Sequence, residues 1–225
     1  MKLTKSQLIR HTRNGLKELG FKEIKDTITP AQGLYIKSIG NGLYLSLGLT
    51  ISRYHESMFT ASFYLSKTTT WALVGNDIPK GSYERIGRFL TRDERIKLLG
   101  KEYSTPGVTD AWWNAEYENE VAYFLETVRI AEPPFIEQPG LIDEIKRSSF
   151  VNELALLSYL VIKEIKIGSN INEFDYHFVP PKSIDNIPLE WFKAAERVIT
   201  NEKAILNLNT VKRLAADAWR QNLLK

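Results

Sequence analysis

Between Leu43 and Ser52 the chain alternates without a break: Leu43, Leu45, Leu47, Leu49 and Ile51 are separated by Tyr44, Ser46, Gly48, Thr50 and Ser52. A strand turns successive side chains to opposite faces, so a period of two over ten residues describes a half-buried strand and fits no face of a helix. Phe59, Ala61, Phe63 and Leu65 alternate with Thr60, Ser62, Tyr64 and Ser66 in the same way. The link between the two runs is too short for the crossover that parallel strands need, so the pairing is antiparallel. A preceding run, Gly33–Ile39, leads into Gly40-Asn41-Gly42, a hairpin signal. Thr70–Val74 reads as a further strand. The sheet therefore has one leucine- and phenylalanine-rich face and one hydroxyl-rich face, the second open to solvent or to a partner.

Around this meander the pattern is helical. Thr4-Lys5-Ser6-Gln7 has the form of a capping box. Leu8, Ile9, Leu16 and Leu19 then share one face, and Gly20 follows as a stop, which predicts a helix from Lys5 to Leu19. Ser82–Leu90 and Thr91–Leu99 read as two short helical pieces, with Thr91 as an N-cap. The spacing of Val121, Phe124, Leu125 and Val128 predicts a helix over Glu116–Ile130. Pro133-Pro134 and Pro139-Gly140 read as breaks. Phe150–Ile167 is a long apolar helix, Pro188 opens a helix carrying Trp191, Phe192 and Val198, and a last helix runs from Asn209 to Leu224. Glu173–Asn186 is irregular. The fold class expected is α+β: an N-terminal helix packed on an antiparallel β-meander, followed by a mainly helical C-terminal lobe. The 225 residues are read as one integrated domain, with lobes at 1–105 and 106–225.

Composition matters here mainly for what it excludes. The chain has no cysteine, which removes disulfides, thiolate metal sites and thiol nucleophiles. The opening residues turn polar at once and carry no signal peptide, and the most apolar stretch, Leu154–Ile162, is far short of the about 20 residues of a membrane span. A cytoplasmic address and no membrane partner are expected. The net charge of +3 hides an asymmetry. Residues 1–105 carry a net +8, residues 106–144 a net −8 with Arg129 as their one basic residue, and residues 145–225 a net +3. One-signed blocks often report a partner.

Signatures of chemistry are sparse. Of the three histidines, His11 lies on the first helix, His55 between two strands and His177 in the irregular segment, with no i, i+4 ligand pair. No phosphate-binding glycine loop and no nucleophile elbow occur. Glu23-Ile24-Lys25, Glu144-Ile145-Lys146 and Glu164-Ile165-Lys166 have the spacing that ends a metal-dependent nuclease core, but none follows a metal-binding Asp on a strand. No metal and no cofactor are expected. The compact group Arg53, His55 and Glu56 is the one constellation that an enzyme with a cleft between the lobes could use, with a divalent ion or a nucleotide. A basic first half, with Arg10, Arg13 and Lys17 and then Arg85 to Lys101, leaves nucleic-acid binding as a third reading, although interleaved acids make solvated helix faces the plainer account.

The acidic block is mixed with aromatics: Trp112, Trp113, Tyr117, Tyr123, Phe124 and Phe135. One-signed surfaces steer association and aromatic anchors supply interface cores. Adjacent side chains diverge on any element, so Trp112 and Trp113 are not expected to fill one core site. A partner-binding surface is assigned to Trp112, Trp113, Glu116, Glu118 and Glu120, against a basic protein surface. The acids could equally face the protein's own basic half.

The first hundred residues also resemble a loose group of uncharacterised bacterial proteins. The likeness is carried by the helix end Leu19-Gly20-Phe21-Lys22, the turn Gly40-Asn41-Gly42, the strand running into Ser52-Arg53-Tyr54, and Arg85-Ile86-Gly87-Arg88 with Leu90-Thr91-Arg92-Asp93-Glu94-Arg95. Related small helix-plus-sheet proteins accompany toxins and are proposed to be immunity proteins. The resemblance implies a non-enzymatic inhibitor that occludes a toxin, and it carries over no catalytic residues.

Overall fold

The computed structural model describes residues 3–25, 31–55, 57–71, 78–100, 110–168, 186–204 and 208–224. Helix α1 (Lys5–Glu18) starts at the predicted capping box: Gln7 N–H donates to the Thr4 hydroxyl, and the Gln7 side chain accepts from Thr4 N–H. It is followed by strands β1 (Lys22–Ile24), β2 (Gly33–Gly40), β3 (Leu43–Ile51), β4 (Met58–Ser66) and β5 (Tyr83–Arg85), a 3-10 turn (Ile86–Phe89), helix α2 (Arg92–Leu99) and the two-residue strand β6 (Trp113–Asn114). Helices α3 (Glu118–Ile136), α4 (Leu141–Arg147), α5 (Ser149–Lys166), α6 (Leu189–Asn201) and α7 (Leu208–Leu223) complete the chain. The six strands form one antiparallel sheet in the order β1-β2-β3-β4-β5, with β6 paired to the free part of β4's outer edge. The α+β class and the order of helix, meander and helical part are as expected.

The first face of the sheet is the one that the alternation predicts. Leu45, Leu47 and Leu49 of β3 and Phe59, Phe63 and Leu65 of β4 are buried with Leu8 and Leu16 of α1 and Phe124, Val128 and Phe135 of α3. Phe63 stacks on Phe135, ring centroids 5.2 Å apart. One polar pair sits in this core: the Thr12 hydroxyl donates to Leu8 O and lies 3.2 Å from the hydroxyl of Tyr35, whose ionisation burial pushes up to about 12.

The second face departs from expectation. Ser46, Thr60, Ser62 and Ser66 are buried, and of the hydroxyl residues on this face of β3 and β4 Thr50 is half-buried. The cause is visible in the register. Gly48 lies between Leu34 and Ser62, and the missing side chain admits the indole of Trp71. Trp71 in turn meets Tyr64 and Tyr83 edge-on, at 6.3 and 5.8 Å. Beside it stands the carboxylate of Asp217 from α7, fully buried. It accepts from Thr69 N–H at 2.5 Å, the Thr69 hydroxyl at 2.7 Å, the Ser158 hydroxyl of α5 at 2.5 Å and the Gln221 amide at 2.9 Å. Gln221 also accepts from the hydroxyl of Tyr44 on β3. The hydroxyl-rich face is thus covered by the molecule's own interior, and the Tyr44–Gln221 bond ties the sheet to α7. Those helices and α6 share a separate apolar core around Trp191, Phe192, Val161 and Leu214, with Trp191 and Trp219 in edge contact at 5.3 Å.

Three local expectations are corrected. Tyr83–Arg85 is a strand, because it pairs with Ser62–Tyr64; only Ile86–Phe89 of the predicted helical piece turns, and as a 3-10 turn. Thr70 and Trp71 are not in a strand, and the rest of Thr70–Val74 lies outside the described residues. Pro133 and Pro134 do not end α3. Each removes one backbone hydrogen bond, but the last turn is held by Glu137 N–H donating to Pro133 O and by the buried ring of Phe135. Gly140, at φ +77°, is the break, and α4 starts directly after it. Among the described residues no helix is long and apolar enough to cross a membrane.

Candidate functional site

The link between β3 and β4 is short and internally tied. Ser52 N–H donates to Met58 O, Met58 N–H donates to His55 O, and the Ser52 hydroxyl accepts from both Tyr54 N–H and His55 N–H, at 3.2 and 3.0 Å. A serine that bonds the backbone two and three residues on fixes a turn. The turn presents Arg53, Tyr54 and His55 outward, with Tyr54 91% exposed. Glu56, the third member of the group assigned from sequence, lies outside the described residues, as does His177.

Strand β6 brings a second segment to the same end of the sheet. Its residues pair with Met58 and Phe59, and Ala115 N–H donates to Ser57 O at 3.0 Å. The chain then turns on Asn114, whose side chain accepts from Glu116 N–H and whose carbonyl accepts from Tyr117 N–H. Glu120 closes the turn by accepting from Asn114 N–H. The turn leaves Glu116, Tyr117 and Glu118 exposed at the entry to α3, Tyr117 by 57%. Carboxylates in a helix's first turn are also favoured by its dipole, so Glu118 and Glu120 have a structural reason for their places.

The two surfaces read separately from sequence are therefore neighbours. Trp113 is not part of the surface. It is fully buried, 6.0 Å from Phe59 and 5.3 Å from Phe124 between ring centroids, and no partner can reach it without opening the core. Trp112, pointing the other way, is half-buried. The divergence of the two indoles follows from the alternation of β6. Tyr54 was not singled out from sequence; its signal was a lone aromatic between charged residues just after a turn-forming serine.

Several acids of the block do face basic groups. Glu132 binds Lys37 at 2.5 Å, Asp110 binds Arg85 at 3.2 Å, and Glu126 is held by Arg129, whose hydrogen bond keeps that carboxyl below its ordinary value. Within the basic half, Arg13 binds Glu23 at 2.5 Å and Arg88 binds Glu84. Among the described residues no group of three or more His, Asp or Glu stands close enough to hold a metal ion. Comparison with protein-family models, curated proteins and solved structures gave no match.

Proposed function

We propose that this chain is a non-enzymatic protein-binding module, of the kind an immunity-type inhibitor of a toxin would be. Its binding surface is the tied turn Arg53–His55 together with Trp112, Glu116, Tyr117 and Glu118. The observation that carries the reading is Tyr54, 91% exposed on a turn that Ser52 fixes from below. An aromatic ring held out in water on a fixed backbone gains from burial in a partner's pocket and loses little freedom on binding. Glu116 and Glu118 beside it suit a basic partner surface, such as the phosphate-binding cleft of a nuclease, and would act on the association rate.

The test uses the protein that co-purifies with the tagged chain, with binding kinetics measured against Tyr54→Ala and against Glu116→Lys/Glu118→Lys. Glu120 is spared because it holds the turn. Tyr54→Ala is expected to cost about 2 kcal/mol of affinity or more at an unchanged melting temperature. The charge reversal should slow association and flatten its salt dependence. Unaltered kinetics for both variants would remove the surface from the account.

A further inference from the structure

The outer face of α5 is built like half of an antiparallel helix pair. Ser149, Glu153, Leu156, Leu160, Lys163 and Ile167 follow one another at spacings of four, three, four, three and four, the seam of a helix that packs along another helix. The opposite face, with Val151, Ser158, Val161 and Ile162, is buried. Leu156 is 56% and Ile167 64% exposed, Tyr159 at the flank of the seam is 59% exposed, and Leu160 is half-buried, with one side packed on the core of α5, α6 and α7. Among the described residues neither Glu153 nor Lys163 has an ion-pair partner.

We propose that the partner of this face is a second copy of the same chain, with the two α5 helices antiparallel about a two-fold axis passing beside residue 158. Such an axis exchanges each seam residue with one equally far on the other side of 158. Leu156 then meets Leu160 of the second copy, Glu153 meets Lys163, and Ser149 meets Ile167. Each contact occurs twice, as an isologous interface requires. Apolar residues meet at the centre and opposite charges meet outside them. Parallel pairing would set Glu153 against Glu153 and Lys163 against Lys163, so the charges select the antiparallel arrangement. The helix is 18 residues long, about 27 Å. One helix pair of that length lies at the small end of specific interfaces, so the dimer depends on concentration.

Sedimentation velocity from 1 to about 200 µM tests this on the full chain. The wild type is expected to pass from the 25.8-kDa monomer to a species of twice that mass with rising concentration. Glu153→Lys or Lys163→Glu alone places two like-charge contacts in each dimer and should weaken association about tenfold. Glu153→Lys/Lys163→Glu should restore it to within about threefold of wild type, since the exchanged charges again meet their opposites. Both residues lie on the exposed helix face, and unchanged melting curves would show that the single variants fold. A chain that stays monomeric throughout, or that dimerises equally well with either single reversal, overturns the proposal and leaves the face to a different partner.

Discussion

Gly48→Ala is the substitution whose effect the geometry fixes most tightly. A Cβ at this position would stand 2.3 Å from both Cη2 and Cζ2 of Trp71 and 2.9 Å from Cε2. Carbon atoms rest comfortably at about 3.5–4.0 Å, so the indole must retreat by about 1.2 Å or more. It cannot do so freely, since Tyr64 and Tyr83 hold its edges and the residue is buried. Overpacking of this kind costs about 1–3 kcal/mol. Alanine is better than glycine in a strand interior by about 0.5–1 kcal/mol, leaving a net loss of up to about 2.5 kcal/mol. With a urea slope of about 2 kcal/mol/M, the unfolding midpoint followed by circular dichroism falls by up to about 1.2 M. The decisive measurement repeats Gly48→Ala in a Trp71→Ala background. There the new methyl enters vacated space, so its cost should vanish or change sign, giving a coupling of about 1–3 kcal/mol. Equal costs in the two backgrounds would refute the claim that Trp71 is what keeps position 48 bare. Gly15 serves as the control: the nearest atoms to its added Cβ are the branched tip of Leu125, from 2.2 Å, and that half-buried side chain can turn aside. Helix propensity offsets the remainder by about 1 kcal/mol, so Gly15→Ala should be close to neutral.

Asp217→Ala strips the acceptor from four donors, the backbone N–H of Thr69 among them, and should cost about 3 kcal/mol or more in chemical denaturation. Asp217→Asn keeps the shape, and the Ser158 hydroxyl and Gln221 amide can turn to accept, so it should lie far closer to wild type. Burial, the largest influence, pushes the Asp217 carboxyl above its ordinary value of 3.8, outweighing the hydrogen bonds from Ser158, Thr69 and Gln221. A group that holds its proton more tightly when folded contributes stability that is complete below the unfolded pKa and disappears as pH rises through the folded one. The melting temperature of Asp217→Asn relative to wild type should therefore climb between pH 4 and neutrality, and a difference that shrinks over that range contradicts the assignment. Trp113→Ala should cost about 3–5 kcal/mol while Trp112→Ala stays under about 1 kcal/mol, and equal losses would show that the two indoles are not divided between core and surface.

Sequence reasoning read the elements whose signal is local. The alternation of Leu43–Ile51 and Phe59–Leu65 located two strands and their buried face, and the capping box at Thr4 and the N-cap at Thr91 located two helix starts. It could not read what depends on distant partners. Tyr83–Arg85 has no strand pattern of its own and is extended because β4 offers it an edge. The hydroxyls of Ser46, Thr60 and Ser62 look like solvent-facing residues until Trp71 and Asp217 are placed over that face. Pro133 and Pro134 look like a helix end until Phe135 is seen anchoring the turn behind them. At the candidate surface, Glu116 and Glu118 were legible from charge. Their neighbourhood with Tyr54 rests on two β6 pairs and one further backbone bond across more than fifty residues, which no local pattern records.

The order of the strands has a consequence for how the chain behaves in a crowd. β3 and β4, nine residues each, are the segments best suited to recruit a foreign strand, and both are flanked by neighbours in the middle of the sheet. The outermost strands are β1, β5 and the two-residue β6, and the first two, three residues each, set Lys22, Glu23, Glu84 and Arg85 along the margin. A margin that is short and charged is a poor template for edge-to-edge growth. Loss of β1 would change that at once, because β2 offers eight residues, four of them buried, to whatever strand arrives next. The small first strand, slight as a contributor to the core, covers Leu34–Ile36 of β2 and so denies part of that edge to a foreign strand.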